Sequence, residues 1–244
     1  GMKTAITISG PCNNLKILIK DKENKLGIEI DLLKNYPKTK RDPLARAAEK
    51  TEEDRIIARR FDKDFFDGDR KVGYGGFNYH PRFWQPVVPT FQKHHNLTST
   101  SSILDVGSGK GFMIYDFSLL IPGITVKGID ISKYAIENTI EEMKPHVQVA
   151  NAISLPFPDN SFDLVISINT VHNLAKEECG IALQEIERVS RGSSFVVVDA
   201  YRTEEEKKLM YAWNLTGKTI MHVDEWKKSF NKIVYTGDYY WFMP

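Results

Sequence analysis

The sequence predicts an α/β protein with a doubly wound, mostly parallel sheet. From residue 101 onward, short apolar and β-branched runs alternate with helix-compatible stretches, as expected for buried parallel strands with helices on both faces. The first run leads into a turn with glycine at alternate positions, Gly107, Gly109 and Gly111. The second run ends in the acid Asp130. Both features fall at carboxyl ends of strands, where open α/β sheets bind their ligands.

Each element of this region follows from its local pattern. Apolar runs predict strands over residues 103–106, 126–130, 147–150, 162–168 and 195–200. The intervening stretches predict helices over 111–120, 133–143 and 176–189. Beyond residue 200 the pattern predicts helices over 204–213 and 223–230. Strand, turn and strand over 233–242 are then expected to close the sheet edge as an antiparallel hairpin.

Composition divides the chain of 244 residues into three parts. Residues 1–40 are predicted to form a small accessory β element, with short strands at 5–8, 15–19 and 27–30. Residues 41–96 are predicted to form a helical and glycine/aromatic cap segment, with helices over 43–61 and 83–95. Residues 97–244 are expected to hold the ligand-binding α/β domain.

The stretch 61–79 of the cap segment is rich in glycine and aromatic residues and has no regular period. Glycines allow backbone motion and aromatic rings give large contact surfaces, so a lid facing a substrate fits this mixture. A surface loop whose rings pack on the domain explains it as well. The candidate substrate contacts are Tyr74, Tyr79 and Arg82. Of these, the arginine would suit a carboxylate or phosphate on the acceptor.

Composition also limits the function classes. The formal net charge is +1, which gives no general attraction to nucleic acid or to an anionic membrane. No apolar run is long enough to span a bilayer, and no signal-peptide pattern opens the chain. The two cysteines, Cys12 and Cys179, have no metal-ligand spacing and are expected to be free thiols. We therefore expect a cytoplasmic protein without a metal site.

The glycine turn suits a ligand that carries both an ammonium and a carboxylate. Asp105, just before the glycines, can pair with an ammonium, and the N-terminus of the following helix can meet a carboxylate. A P-loop is excluded, because Gly111 follows Lys110 where serine or threonine is required. A nicotinamide-binding turn is disfavoured, because the spacing is GxGxG rather than GxGxxG.

Two further pieces follow at the ends of the next strands. Asp130 lies about 20 residues beyond the turn, where an acid can bind both hydroxyls of a ribose, although it could instead only cap the following helix. Asn151 follows the third strand and can both donate and accept at an adenine edge. Polar residues from Asn169 to His172 follow the fourth strand, beside the expected reactive part of the ligand.

These motifs, ILDVGSGKG, GIDIS and NAISLPFPDNSFDLVISINTVHNL, resemble in order and spacing the class I S-adenosylmethionine-dependent methyltransferases, in particular their small-molecule branch. The resemblance covers residues 103–174 and, through the strand and helix order, reaches about residue 200. It implies a Rossmann-like, seven-stranded sheet with an antiparallel final hairpin. It also implies S-adenosylmethionine as methyl donor, with S-adenosylhomocysteine as product.

The resemblance assigns roles to individual residues. Asp105 and Gly107 would contact the methionine part, Asp130 the ribose and Ile131 the adenine face. Asn151 with Ala152 would meet the adenine edge; many members have aspartate there, but the amide oxygen can still accept from the adenine amine. The remaining candidates for cofactor contact are Ser108, Gly109, Gly111, Ile168 and Asn169.

Methyl transfer from a sulfonium depends mainly on positioning, and a base is needed only when the acceptor must lose a proton. His172 is the candidate base, although it could equally be structural or contact the cofactor. A small-molecule acceptor is favoured. A protein or RNA acceptor is the first alternative, with nucleic acid disfavoured by the charge and by the lack of an NPPY-type sequence at 169–172. A cofactor-binding scaffold without activity is the second.

Overall fold

The computed structural model describes residues 25–38 and 50–244. The strands are β1 (Ser102–Val106), β2 (Thr125–Asp130), β3 (Val147–Val149), β4 (Leu164–Ile168), β5 (Ser194–Tyr201), β6 (Met221–His222) and β7 (Asp238–Phe242). The α-helices are α1 (Glu52–Ala58), α2 (Lys63–Asp67), α3 (Val88–His95), α4 (Phe112–Leu120), α5 (Lys133–Glu137), α6 (Lys176–Val189), α7 (Glu204–Trp213) and α8 (Val223–Lys232). Short 3-10 helices span Glu141–His146 and Val171–Asn173.

The strands form one sheet in which every described strand pair is parallel. The order is β3-β2-β1-β4-β5, and both β6 and β7 also pair with β5. β7 lies beside Phe195–Asp199, and β6 lies beside Ala200 and Tyr201. The carboxyl ends of all strands therefore meet at one edge of the sheet, which is the ligand-binding edge expected for this architecture.

Alternate residues of the central strands face two separate cores. Val165 of β4 is buried with Ile186 of α6, whereas its neighbour Ile166 is buried with Phe91 of α3 and Phe117 of α4. Because side chains of a strand alternate between the faces of a sheet, the two cores lie on opposite faces. The predicted doubly wound α/β architecture is confirmed.

The predicted antiparallel hairpin at the C-terminus is wrong. Helix α8 continues to Lys232, and Val234 takes a positive φ of 61°, so 233–235 forms no strand. Tyr235 is instead buried, and its hydroxyl lies 3.1 Å from the Ser194 hydroxyl at the start of β5. Since α8 carries the chain back to the amino end of the sheet, β7 starts opposite Phe195 and runs parallel to β5. The tail is a strand–helix–strand crossover.

The described part of the accessory element is attached to the sheet. Glu29 forms a parallel bridge with Tyr239 of β7. The Tyr239 N–H donates to the Ile28 carbonyl at 3.1 Å, and the Ile30 N–H donates to the Tyr239 carbonyl at 3.0 Å. Leu32 is buried in the same core as Phe91. The predicted strands at 5–8 and 15–19 lie outside the described residues, as do residues 43–49 of the predicted helix over 43–61.

Three predicted helices are shorter than their sequence pattern. The helix predicted over 83–95 begins only at Val88, since residues 81–87 form turns. α1 begins at Glu52, because Thr51 and Asp54 form a reciprocal capping box. The predicted helix over 133–143 divides at Ile140, whose N–H donates to the Lys110 carbonyl at 3.1 Å and so leaves the helical path. The chain is thereby held against the glycine turn. Among the described residues, no helix is long and apolar enough to cross a membrane.

Candidate active site

The turn after β1 has the backbone that its glycines predict. Gly107, Gly109 and Gly111 have φ values of 91°, 52° and 79°, a region that favours glycine. At Gly107 space is limiting as well, since a Cβ there would lie 2.1 Å from the Thr170 hydroxyl oxygen. The loop after β4 thus presses directly on the turn. Gly111 precedes α4, whose N-terminus opens toward the carboxyl edge of the sheet.

Asp105 is buried at the end of β1, with 4% of its surface exposed. Burial, and secondarily the nearby charge of Asp130, raise the pKa of its carboxyl to about 8. None of the described residues supplies a cation or hydrogen bond that offsets this cost. A buried acid without a compensating partner is a feature of functional sites, and a ligand ammonium would supply the missing charge.

Asp130, at the end of β2, is fixed by backbone donors. One carboxylate oxygen accepts from the Gly109 N–H and the other from the Ser132 N–H, both at 2.8 Å. Burial raises the pKa of Asp130, and these bonds oppose the rise. The cap of α5 is Ser132, whose hydroxyl accepts from the Ala135 N–H. Asp130 therefore ties the glycine turn to the segment after β2, and its oxygens keep lone pairs for further donors.

The residues around Asp130 differ in their exposure and in their free hydrogen-bonding capacity. Ile131 is 54% exposed and presents an apolar side chain next to the end of β2. The Asn151 side-chain oxygen accepts from the Ile153 N–H at 3.2 Å, so part of its capacity is used locally. Ala152 is 9% exposed. The Ser108 hydroxyl is buried with no partner among the described residues.

The end of β4 lies next to the turn. The Ser167 hydroxyl donates to the Val106 carbonyl at 3.0 Å and joins β4 to β1. Ile168 is half-buried and Asn169 is exposed, with a positive φ of 54°. The turn that begins at Asn169 directs Thr170 toward Gly107. The structure therefore brings Ile168 and Asn169 to the same edge as Asp105.

His172 forms a buried pair with Asp199, a residue that the sequence reasoning missed. The Asp199 main-chain N–H donates to His172 Nδ1 at 3.3 Å, and His172 Nε2 lies 3.3 Å from Asp199 Oδ2. Burial lowers the pKa of His172, partly opposed by Asp199, and it raises the pKa of Asp199, partly opposed by His172. Burial of the pair thus favours the neutral imidazole. An acid near the end of the apolar run 195–198 was a usable signal for Asp199.

The cap segment is clasped to the glycine turn by Lys110. Lys110 Nζ donates to Asp67 Oδ1 of α2 at 2.6 Å and also to the Phe77 carbonyl. The Tyr134 hydroxyl donates to the other oxygen of Asp67 at 2.9 Å. Phe66 lies 3.5 Å from the position of a Cβ on Gly109. The aromatic stretch thus covers the turn, as a lid over it would.

The three predicted substrate contacts have local partners. The Tyr79 hydroxyl donates to Asp116 of α4 at 2.7 Å, and burial together with this bond raises the pKa of Tyr79 to about 12. The Tyr74 hydroxyl donates to the Gly76 carbonyl, and its ring stacks on Phe65. The Arg82 guanidinium lies 4.7 Å from the centre of the Phe83 ring. Their substrate role stays a prediction.

Asp67→Asn is expected to loosen the cap. The substitution removes the negative charge that pairs with the largely buried Lys110. Loss of this contact should lower the stability by about 1–3 kcal/mol. Hydrogen–deuterium exchange over 61–79 should become faster, while the sheet keeps its protection. Asp64→Asn, an exposed acid on the same helix, is the matched control. Unchanged exchange in Asp67→Asn would show that the clasp does not hold the cap.

Comparison with known proteins agrees with this geometry. Residues 104–198 match the family model described as a methyltransferase domain. The solved structure of the YcgJ protein from Bacillus subtilis has a TM-score of 0.50 and 22% identity, over 60% of this chain and 66% of that one. The fold is that of the class I methyltransferases. Residues 104–198 are thus similar to this methyltransferase domain family.

Curated relatives share this region but differ in their acceptors. The tRNA (carboxymethyluridine(34)-5-O)-methyltransferase of Arabidopsis thaliana is 32% identical over 58% of this chain and 33% of its own length. The malonyl-[acyl-carrier protein] O-methyltransferase of Legionella pneumophila is 27% identical over 50% of this chain and 44% of its own length. The chain therefore spans less than half the length of these two relatives.

Proposed function

We propose that the chain transfers the methyl group of S-adenosylmethionine to a small-molecule acceptor and releases S-adenosylhomocysteine. The observation that carries this proposal is the convergence of Asp105, the glycine turn and Asp130 at one sheet edge, tied by the 2.8 Å bond from the Gly109 N–H to Asp130. The bound cofactor would supply an electrophilic methyl group; the protein orients it and excludes water.

The residues present fit this cofactor. Asp105 offers a buried negative charge for the ammonium. Ser108, whose hydroxyl packs against Gly128, is kept as a contact that the motif assigns. The free lone pairs of Asp130 suit ribose hydroxyls, and the exposed Ile131 suits an adenine face. We keep the remaining proposed contacts as the motifs assign them, namely Gly107, Gly109, Gly111, Asn151, Ala152, Ile168 and Asn169. The domain limits at 40 and 96 are likewise part of the proposal.

Transfer of a labelled methyl group tests the function. The protein is incubated with methyl-labelled S-adenosylmethionine and, separately, with a small-molecule extract and with total tRNA. We expect label in the small-molecule fraction. Label confined to tRNA would contradict the acceptor class and favour the activity named for the Arabidopsis relative. Cofactor binding without transfer to any acceptor would favour a scaffold. Asp130→Ala serves as the control, which should neither bind the cofactor nor transfer a methyl group.

For a hydroxyl acceptor we propose His172 as the base, held by Asp199. Because both ring nitrogens contact Asp199, the imidazole must release the Asp199 N–H from Nδ1 before it takes a proton. The lowered pKa of His172 favours the neutral imidazole, so the rate at saturating cofactor should fall only when the pH drops below that pKa. His172→Gln is expected to lower kcat about 100-fold and to remove this acidic limb. His146→Gln is the matched control, because His146 precedes β3 at the opposite edge of the sheet. An unchanged pH profile in His172→Gln would contradict the base role.

A further inference from the structure

A cleft of about 580 Å³ lies between helix α1 and the segment that follows α7. Its volume is within the range of small-molecule sites, roughly 300–1,000 Å³. Arg55 and Arg59 line it from one side, and Tyr211 and Lys218 line it from the other. We call it the arginine cleft. It lies outside the cofactor motifs, and none of the residues proposed above to bind the cofactor lines it.

The arginine cleft has an excess of positive charge. Arg55, Arg59 and Lys218 face a single acid, Glu52, and Glu52 is largely exposed. Its contacts to the two arginines are long, 3.8 Å to Arg55 and 3.4 Å to Arg59. Surface pairs of this kind contribute little, so the guanidinium groups keep donor capacity. The cleft therefore favours an anion.

Arg59 provides a second and independent observation. Its Nε is buried and has no hydrogen-bond partner in the part of the chain that the structure describes. A buried donor without a partner costs about 1–3 kcal/mol, and a ligand oxygen recovers that cost once the Arg59 side chain, 29% exposed, turns its Nε into the cleft. Arg55, by contrast, uses its Nε on the Asn214 carbonyl at 3.2 Å, which fixes α1 against the other wall. Arg59 is thus the cation that is prepared for a ligand.

The arginine cleft lies next to the buried His172–Asp199 pair, with Gly217 between them. Gly217 lines the cleft, and a Cβ on it would lie 3.1 Å from the His172 ring and 3.2 Å from Asp199 Oδ2. The N–H groups of Lys218 and Thr219 donate to the His172 carbonyl at 3.0 and 2.9 Å. A molecule in the cleft is therefore separated from the His172–Asp199 pair by one glycine.

We propose that the arginine cleft binds the oxyanion, a carboxylate or a phosphate, of the small-molecule methyl acceptor; this assignment rests on the proposed methyl transfer. Arg59 and Lys218 hold the oxyanion. The Arg59 guanidinium pairs with two of its oxygens at once, and the Lys218 ammonium adds a second positive charge. The Tyr211 ring, 52% exposed at the rim, covers the body of the acceptor. The reacting atom of the acceptor then points past Gly217 toward His172.

Calorimetric titration with benzoate and with inorganic phosphate, in the presence of S-adenosylhomocysteine, tests the site and distinguishes the two oxyanions. We expect one of them to bind at millimolar concentration or below. Arg59→Gln should weaken that binding at least tenfold, about 1.4 kcal/mol, and Arg59→Lys should restore part of it. Arg60→Gln, an exposed neighbouring arginine, is the control and should bind normally. Cofactor affinity should be the same in all variants.

The outcomes separate this inference from the proposed function. Normal cofactor binding without binding of either anion, or with equal anion affinity in Arg59→Gln and wild type, would overturn the acceptor site alone. Failure of the cofactor to bind would overturn the proposed function, whatever the anions do. Binding of total tRNA that is lost in Arg59→Gln, without binding of small anions, would replace the small-molecule acceptor with a polyanion.

Discussion

Asp105→Asn is expected to abolish binding of S-adenosylmethionine and, at the same time, to stabilise the ligand-free protein at alkaline pH. The carboxylate is the proposed partner of the ligand ammonium, and the neutral amide cannot replace that charge. We expect the dissociation constant to rise about 100-fold or more, since hydrogen bonds between charged groups contribute about 1.5–3 kcal/mol. The substitution that removes the contact with the ligand therefore stabilises the ligand-free protein.

The stability effect follows from the raised pKa of Asp105, about 8 in the folded protein. Between the ordinary aspartate pKa of about 4 and this value, the folded state binds one more proton than the unfolded state, so stability falls as the pH rises. The amide in the Asp105→Asn variant has no proton to lose. At about pH 8 the variant should exceed wild type by on the order of 3 kcal/mol, with a smaller difference at about pH 5.

Chemical denaturation across this pH range, together with calorimetry, measures both effects. Asp159→Asn is the control, because this acid is exposed on a loop and pairs with Arg188. Wild type should also gain cofactor affinity from about pH 6 to about pH 8, as Asp105 becomes easier to ionise. Equal pH dependence of stability in wild type and Asp105→Asn, or intact cofactor affinity in the variant, would contradict the role assigned to Asp105.

Gly107→Ala is expected to have the largest structural effect of any single methyl addition at the turn. The new methyl would lie 2.1 Å from the Thr170 hydroxyl oxygen, at a φ of 91°. Backbone strain and overpacking together should destabilise the fold by about 3–5 kcal/mol and displace the loop after β4. Cofactor binding should be lost with it, because Asn169 on that loop and the glycine turn are both proposed cofactor contacts.

Gly109→Ala gives the matched comparison for Gly107→Ala. Its φ is 52°, and a Cβ would meet only Phe66, at 3.5 Å. We expect a loss of about 1 kcal/mol, mostly backbone strain. Adding Thr170→Gly to Gly107→Ala should recover the part of the loss that comes from the clash. Denaturant unfolding of wild type, Gly107→Ala, Gly109→Ala and the double variant Gly107→Ala/Thr170→Gly measures these losses in stability. Equal losses in the two alanine variants would show that contact with Thr170 does not set the requirement for glycine.

Local patterns were enough to predict the sheet. Buried parallel strands such as β4 and β5 are continuous apolar runs, and their spacing by helices fixes the doubly wound order. The glycines at 107, 109 and 111 predicted positive φ, since few other residues tolerate it. These features depend on neighbours in sequence, which a single sequence shows.

What the sequence did not predict depends on distant contacts. The apolar residues at 233–235 resemble a strand, but burial of Tyr235 against Ser194 turns them into the end of a crossover. Asp67 and Lys110 are 43 positions apart, so their ion pair has no local pattern. Asp199 could have been noticed as an acid within an apolar strand, but its pairing with His172 requires the order of β4 and β5.

Calorimetric titration of the wild-type protein with S-adenosylmethionine tests the central claim most directly, with Asp130→Ala measured beside it. The glycine turn, Asp105 and Asp130 together should give one binding site with a dissociation constant in the micromolar range. Asp130→Ala should remain folded and lose that binding. The absence of binding to wild type at millimolar cofactor, or unchanged affinity in a folded Asp130→Ala variant, would contradict it.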